Sequence, residues 1–444
     1  MDEILKQLLG SSRHTLIIGR AGTGKSTLLN RFRQTCQKPK AVVAPTGVAA
    51  LNVSGETIHS FFLLRPGGGE AEVRSSVRRL RKEKLKLYRA LEVLVIDEIS
   101  MVRADLFDQM SLFLQLARRS RLPFGGVRVL MFGDLLQLPP VTRPDEWREM
   151  SLIYNSPYFF ASKTWQNMTG DLFGNELEVV ELEKIYRQTE TEFIDFLNQV
   201  REKKLQQGMI EEINRRLVDE AIDLTASEHK QAVVLATTNK KVDMINQMQM
   251  QQLSSQGQVF QAVKKGKFEP SSFPTEAELY LKKGARIMLV NNDSEKRWIN
   301  GTMGWVEDFI EQEKTSEAGI VVKLDDGRVL EIWPNNWEMA KSTYDGEKDE
   351  IVREVVGNFR QLPVKLAWAM TIHKAQGKTF DQVIIDLDWS AFATGQTYVA
   401  LSRCRSLGGM KLTRPLRESD VLIDGKIIDF LAQLKTESEK EMIL

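Results

Sequence analysis

Along the first 140 residues, short and almost fully apolar runs alternate with stretches of helical periodicity: TLIIG (15–19), AVVAP (41–45), EVLVIDE (92–98) and VRVLMFGD (127–134). Strands that are apolar on both faces need cover on both faces, so the pattern predicts a parallel sheet between helices, an α/β domain. It returns at QAVVLATT (231–238), which leads into a helical stretch from Asn239, and at QVIIDLD (382–388), which leads into another from about Gly395. These predict a second α/β domain. Between them, RIMLV (286–290), GWVEDFI (304–310), GIVVKL (319–324), RVLEIW (328–333) and IVREVV (351–356) are short, β-rich and punctuated by turns. They predict a small barrel inserted in the second domain. No fixed-period repeat occurs, which excludes solenoid architectures.

Two stretches break the alternation. LLRPGGGEAEV (63–73) carries Gly67, Gly68 and Gly69 and reads as an exposed loop. Directly after it, 8 of the 16 residues from Arg74 to Arg89 are Arg or Lys. A solvated helix face explains them, and a phosphate-contacting helix is the sharper alternative.

Composition narrows the class. The 444 residues carry 61 Lys plus Arg against 60 Asp plus Glu, a net charge of +1. That length suits two to four domains, and the balanced charge means that any polyanion must be held by local basic patches. Two cysteines, Cys36 and Cys404, are too few for a disulfide framework or a cysteine zinc site and suit a reducing compartment. The N-terminus has no basic segment followed by a long apolar run, and no stretch is long enough to span a bilayer. The expected location is the cytoplasm, without membrane contact.

The most specific chemistry is a phosphate site. Residues 19–27, GRAGTGKST, fit G-x-x-x-x-G-K-[ST] between an apolar strand and a helical stretch. Gly19, Gly22 and Gly24 allow the turns that aim N–H groups inward, Lys25 supplies charge to the β and γ phosphates, and the Ser26 hydroxyl can ligate Mg²⁺. Thr23 and Thr27 complete the loop. Such a site needs a second carboxylate at a neighbouring strand end, and VLVIDE offers Asp97 for the metal and Glu98 to orient and deprotonate an attacking water. A hydrolase is therefore expected rather than a kinase. Gln137, three residues beyond Asp134 in GDLLQLPPV (133–141), is placed to report the γ phosphate.

These residues resemble superfamily 1B DNA helicases, most closely the Pif1 family, with Dda-like and RecD-like helicases as cousins. The resemblance rests on APTGVAA (44–50), TIHSFF (57–62), VIDEISM (95–101), GDLLQLPP (133–140), IYRQ (185–188), TTNKKVDMIN (237–246), TIHKAQGKT (371–379) and YVALSRCR (398–405), and the segment 105–141 resembles the Pif1 signature. It implies two RecA-like P-loop domains with parallel sheets, ATP and Mg²⁺ as cofactors, a small wedge insertion and an SH3-like β-barrel insertion. The implied boundaries are 1–180 for domain 1A with the wedge 1B at 63–76, 181–290 and 362–444 for 2A, and 291–361 for the SH3-like 2B. Arg187 and Arg403 match the family's γ-phosphate-sensing arginines, and Gln376 and Gly377 match an element that touches nucleotide and DNA. Gln7 is the residue nearest to the adenine-reading glutamine that several relatives carry.

A strand motor needs phosphate contacts on both domains. The first offers Pro45, Thr46, Thr57, His59 and Phe62; the second offers Thr371, His373 and Lys374. Two of the four histidines fall in the two TIH triplets. Asn155, Tyr158 and Phe159 are candidates for stacking, with core packing equally open, and for Trp298, Trp305, Trp333 and Trp337 core filling is the first explanation and base stacking the second. The expected activity is an ATP-dependent DNA helicase moving 5′ to 3′ on single-stranded DNA and opening forked or partial duplexes. The resemblance extends the substrates to RNA–DNA hybrids and G-quadruplexes, and the context to genome maintenance: DNA repair, replication and telomeres. A monomer is expected. The alternatives are a nucleotide-gated single-strand clamp or a RecD- or Dda-like translocase with little unwinding.

Overall fold

A computed structural model describes the chain except residues 66, 171–176, 189, 220–221, 223–228, 230, 269, 313–316, 346–349, 389–392 and 442–444. The chain divides into two compact units. The first comprises Met1–Tyr186, Ala340–Val355 and Asp424–Leu444; the second comprises Arg187–Met339 and Val356–Ile423.

The first unit is built on strands β1 (His14–Gly19), β2 (Lys40–Ala44), β3 (Glu56–Thr57), β4 (Val93–Ile96), β5 (Arg128–Gly133) and β6 (Leu177–Leu182). They pair in the order β3-β2-β4-β5-β1-β6, and every ladder is parallel. This is a RecA-like α/β fold. Leu16, Ile17, Val43, Leu94, Val95, Leu130 and Phe132 are buried, as strands covered on both faces require. Helices α1 (Asp2–Gly10) and α2 (Lys25–Thr35) bring Leu8, Leu28, Leu29 and Phe32 onto one face of the sheet. On the other elements of this unit, Phe61, Phe62, Tyr88 and Phe113 form an edge-to-face aromatic cluster.

Three expectations change here. The stretch 63–73 is not wholly an exposed loop, because a helix starts at Glu70 and runs to Arg78, and Leu64 and Val73 are buried. Pro66, within the expected wedge insertion, lies outside the described residues. The basic stretch forms two helices, Glu70–Arg78 and Lys82–Ala90, and its second helix buries Leu87 and Tyr88 while most of its cations stay exposed. The end of the expected 362–444 segment, from Asp424 on, packs in the first unit instead of the second: Phe430 stacks on Phe160 and meets Trp165 edge-on, so its apolar surface is satisfied there.

The second unit contains a four-stranded parallel sheet, ordered Ala369–Thr371, Val233–Ala236, Val383–Asp386 and Met410–Leu412. Its β-rich part is larger than the expected 291–361. An antiparallel sheet runs Val329–Ile332, Glu317–Leu324, Met303–Gln312, Arg286–Leu289 and Val364–Leu366, so strands on both sides of those bounds complete its ladder. Ile287, Trp298, Val306, Ile320 and Val322 fill its core. In a separate sheet, Gly357–Arg360 pairs antiparallel with Val263–Gly266.

Candidate nucleotide site and nucleic-acid track

The phosphate loop follows β1 and opens α2. At Gly19 a Cβ would lie 2.6 Å from the Thr23 hydroxyl and 2.9 Å from the Leu182 carbonyl oxygen, so the loop closes only around glycine. Gly22 and Gly24 take left-handed φ values of +81° and +87°, the conformation in which a side chain is strained. The buried Thr23 hydroxyl donates to the Arg20 carbonyl at 2.9 Å. Lys25 Nζ donates to the Gly19 and Arg20 carbonyls at 2.7 and 2.9 Å, which tethers the ammonium to the loop. Ser26 and Thr27 are exposed in the first turn of α2, where helical N–H groups have no partner within the helix.

Asp97 follows β4 and hangs from β2, its N–H donating to the Val43 carbonyl at 2.9 Å. Burial pushes its carboxyl up to about 6, against the opposing pull of a backbone hydrogen bond from Glu98 and the charge of Lys25. The Asp97 carboxylate and the Ser26 hydroxyl are hard oxygen donors, the kind that fits Mg²⁺. No group of three or more His, Cys, Asp or Glu side chains is placed to hold a metal among the described residues. The other ligands would therefore be phosphate oxygens and water. Glu98 takes φ +52°, a conformation that costs a non-glycine residue roughly 1 kcal/mol and is retained where surrounding structure imposes it. Gln137 is buried, with its amide donating to Asp134 at 2.9 Å, so the sensing candidate is oriented by its own loop.

In the second unit the structure gathers three of the expected residues. Arg187 reaches the carbonyls of Ser402 and Gly377, each at 3.4 Å. Arg403 is buried, donating to Val399 O at 2.8 Å, Lys378 O at 3.3 Å and the Ser402 hydroxyl at 2.7 Å. Gly377 takes φ +79° beside them.

The two TIH triplets adopt the same local device. The Thr57 hydroxyl accepts from the Ser60 N–H at 3.2 Å, and the Thr371 hydroxyl accepts from the Lys374 N–H at 3.3 Å. Each threonine ends a strand, and each histidine two residues later is half-buried and held below its ordinary pKa, chiefly by burial. Thr46 caps the helix Gly47–Asn52 by accepting from Ala49 N–H at 3.2 Å. Pro45, Thr46 and His59 line a cavity of about 270 Å³ together with Arg103, Asp105, Gln109, Arg143 and Glu146. Lys374 Nζ donates to Asn239 at 3.2 Å.

A profile of the PIF1-like helicase family matches residues 1–211. A curated relative from Bdellovibrio bacteriovorus, an ATP-dependent DNA helicase Pif1, is 30% identical across 96% of this chain and 90% of its own length. The chain belongs to the PIF1-like helicase family. The crystal structure of Bacteroides Pif1 in complex with ADP-AlF4 superposes with a TM-score of 0.87 at 35% identity, covering 98% of this chain and 96% of that one. Bacteroides Pif1 bound to single-stranded DNA gives a TM-score of 0.67 at 35% identity over the same shares. The chain spans only 66, 62 and 60% of the longer PIF1 relatives from Danio rerio, Emericella nidulans and human.

Within this PIF1-like chain, several candidates prove structural. Phe62 is fully buried in the aromatic cluster, so it cannot present its ring to a strand. Tyr158 and Phe159 are core residues, Tyr158 OH meeting Asp424 at 3.1 Å; Asn155 is exposed, with its carbonyl accepting from Lys426. Gln7 lies on α1 and its amide is engaged by Glu178, which lends the adenine reading no support. Trp298 fills the antiparallel sheet's core and donates to Asn291 at 3.0 Å, and Trp305 packs against that core under the Arg286 guanidinium. Trp333 and Trp337 are partly buried.

Two further residues have a place here that the sequence reading of IYRQ (185–188) did not give them. Tyr186 hangs from the phosphate loop, its N–H donating to Gly22 O at 2.9 Å and its exposed ring beside Gly24. Gln188 is buried and donates to Ser402 O and Cys404 O at 3.1 and 3.0 Å, tying IYRQ to SRCR. Their signal in the chain is membership of IYRQ, of which the sequence reading used only Arg187.

Proposed function

We propose that this chain is an ATP-dependent DNA helicase that moves 5′ to 3′ along single-stranded DNA and separates forked or partial duplexes. The observation that carries the reading is the pairing of a complete phosphate loop, backed by Asp97 and Glu98, with two TIH turns of one geometry, one in each compact unit. The relatives support it: the Bdellovibrio protein is an ATP-dependent DNA helicase, and the Bacteroides protein has been seen with ADP-AlF4 and with single-stranded DNA.

In this proposal Lys25 leaves its two carbonyls to take the β and γ phosphates, and the first-turn N–H groups of α2 share that negative charge. Ser26 and Asp97 would hold Mg²⁺, which when bound offsets charge on the transferring phosphoryl group. Glu98 orients the attacking water and accepts its proton; Gln137 reports the γ phosphate through Asp134. Arg187 and Arg403 are the proposed γ-phosphate-sensing cations, and Ser402 and Gln188 keep them in one constellation. The polarity and the duplex preference rest on the resemblance to superfamily 1B, as do the wedge role of 63–76 and the SH3-like role of the antiparallel sheet.

The test is ATP hydrolysis with and without a single-stranded oligonucleotide, followed by strand separation on duplexes with a 5′ or a 3′ overhang. Stimulated turnover with unwinding from the 5′ overhang alone is expected. Stimulation without strand separation assigns a clamp or translocase instead, and unwinding from the 3′ overhang overturns the polarity.

A further inference from the structure

The site assigns no chemistry to TTNKKVDMIN (237–246), yet two of its side chains converge on one unusual residue of the second unit. Asp388 lies just past the strand Val383–Asp386 and takes φ +50°, a left-handed conformation that strains a residue other than glycine. Four partners hold it there. Its N–H donates to the Asp386 carboxylate at 3.0 Å. Its own carboxylate accepts from the Thr237 hydroxyl at 2.6 Å and from the Lys241 ammonium, which also reaches Asp386 at 2.7 Å. Its carbonyl accepts from Arg414 Nε at 2.5 Å.

Each side of Asp388 leads to a different element. Thr237 and Lys241 flank the start of the helix Asn239–Gln252, whose first residue accepts from Lys374 on the TIH turn at 3.2 Å. Arg414 grips the buried Asp420 carboxylate through two bonds of 2.7 Å, the fork geometry that fixes both side chains in orientation. The Asp420 carbonyl accepts from the Thr397 hydroxyl, and the Leu422 carbonyl accepts from Gly395 N–H at 3.0 Å, so this segment carries the first turn of the helix Gln396–Leu401. Arg403 follows that helix, its guanidinium folded back onto Val399 O at 2.8 Å. The circuit then closes, because Arg403 also donates to the Lys378 carbonyl beyond the TIH turn at 3.3 Å. That bond is the long contact of the circuit; the brace through Asp388 is its short, charge-assisted side.

Burying charged pairs costs desolvation that packed apolar residues avoid, and the left-handed turn adds to that cost. Both costs fall at the junction between the helix that meets the TIH turn and the helix that leads to Arg403. We propose that Asp388 is a positioning residue for ATP turnover: held by Thr237 and Lys241 on one side and by Arg414 on the other, it keeps those two helices in register. A shift of the TIH turn is then felt at the Arg403–Lys378 bond instead of being absorbed by sliding of the helices, so a bound strand raises turnover. This rests on the helicase reading above. Arg403 keeps its contacts to Val399 and Ser402 without the brace, so the brace supplies the response to the strand and not the turnover of the protein alone.

The experiment measures kcat and KM for ATP without and with saturating oligothymidylate, and the affinity for that oligothymidylate, for the wild type, Asp388→Asn, Arg414→Met and the double variant. Asparagine keeps the shape and tolerates the left-handed turn, so it removes the ion pair and little else. Each single variant is expected to lose about tenfold of the strand-stimulated kcat while basal kcat, KM for ATP and oligothymidylate affinity stay within about twofold. The double variant is expected to lose no more than either single one, because both break the same brace. Stimulated turnover unchanged in both single variants overturns the proposal. Losses that multiply in the double variant, or that fall equally on basal and stimulated turnover, overturn it as well and make the network structural. Should a single variant not fold, Thr237→Val takes its place, with an expected loss of stimulated kcat of about threefold and the same overturning results. A wild type whose turnover the oligothymidylate leaves unchanged overturns the helicase reading itself, which is a separate result.

Discussion

The two TIH turns share a hydrogen-bond pattern but sit in opposite electrostatic settings. Near His59, Arg103, one of three arginines lining the cavity, is held by Asp105 at 3.0 and 2.8 Å and by Glu146 at 2.8 Å, so its charge is already neutralised. On the turn that carries His373, Lys374 and Lys378 donate to amide oxygens instead of carboxylates. Identical local geometry therefore does not give identical grip. The first unit combines the phosphate loop with a cavity whose Arg103 is paired, and in the second Lys374 and Lys378 meet neutral amides, so the proposed strand binding would draw its salt dependence from there.

That contrast can be broken in four ways. The largest effect is expected from Glu98→Gln, which should lower ATP turnover by about 10³-fold while leaving strand binding on the second unit intact. Normal turnover would remove Glu98 from the chemistry and dissolve the division of labour between the units. Next comes acid stability. His14, buried in the first unit and accepting from Val129 N–H at 3.0 Å, is held down at about 4 by burial and by Arg128. The folded state stays neutral while the unfolded chain protonates below about 6.5, so stability is full above that pH and falls as pH drops towards 4, by roughly 3 kcal/mol in all. Denaturant melts at pH 7 and 4.5 should show this loss, and His14→Gln should remove most of it; an equal loss in both proteins would show that other groups govern the acid limb.

A smaller effect is expected at the paired rim. Arg103→Met strands Asp105 and Glu146, costing about 1–2 kcal/mol of stability while leaving the salt slope of strand binding unchanged, because its charge is already neutralised. A fall in that slope would make the first unit a free cationic contributor after all. The smallest effects are expected from His59→Ala and His373→Ala, each weakening oligonucleotide affinity about threefold through one lost hydrogen bond. Unchanged affinity in both would take the TIH turns out of the track.

Much of this was legible in the chain because it is local. Runs of apolar residues locate β1, β2, β4 and β5 to within a residue or two, since a strand buried on both faces admits little else. The phosphate loop was readable because each of its glycines answers a backbone constraint that recurs only at such turns. Phe62, Tyr158 and Phe159 were misleading for the opposite reason: an aromatic ring suits stacking on a base and packing in a core equally well, and only neighbours from distant segments decide between them. The helix Glu70–Arg78 was hidden by the glycines before it, its burial being confined to single residues such as Val73. The limits of the β-rich insertion were invisible because Arg286–Leu289 and Val364–Leu366 pair across nearly eighty residues.

The sequence alone determined the chemistry of the nucleotide site and the α/β character of both units, because spacing within a strand, turn or helix is fixed by covalent geometry. The tertiary structure decided which cations meet a carboxylate and which meet a neutral amide. Arg103 and Lys378 are each a single basic residue in the chain; Glu146 reaches the first from 43 positions away, while Asn300 reaches the second from 78. Coulomb energy depends on distance in space and on burial, and neither is written in the order of the residues.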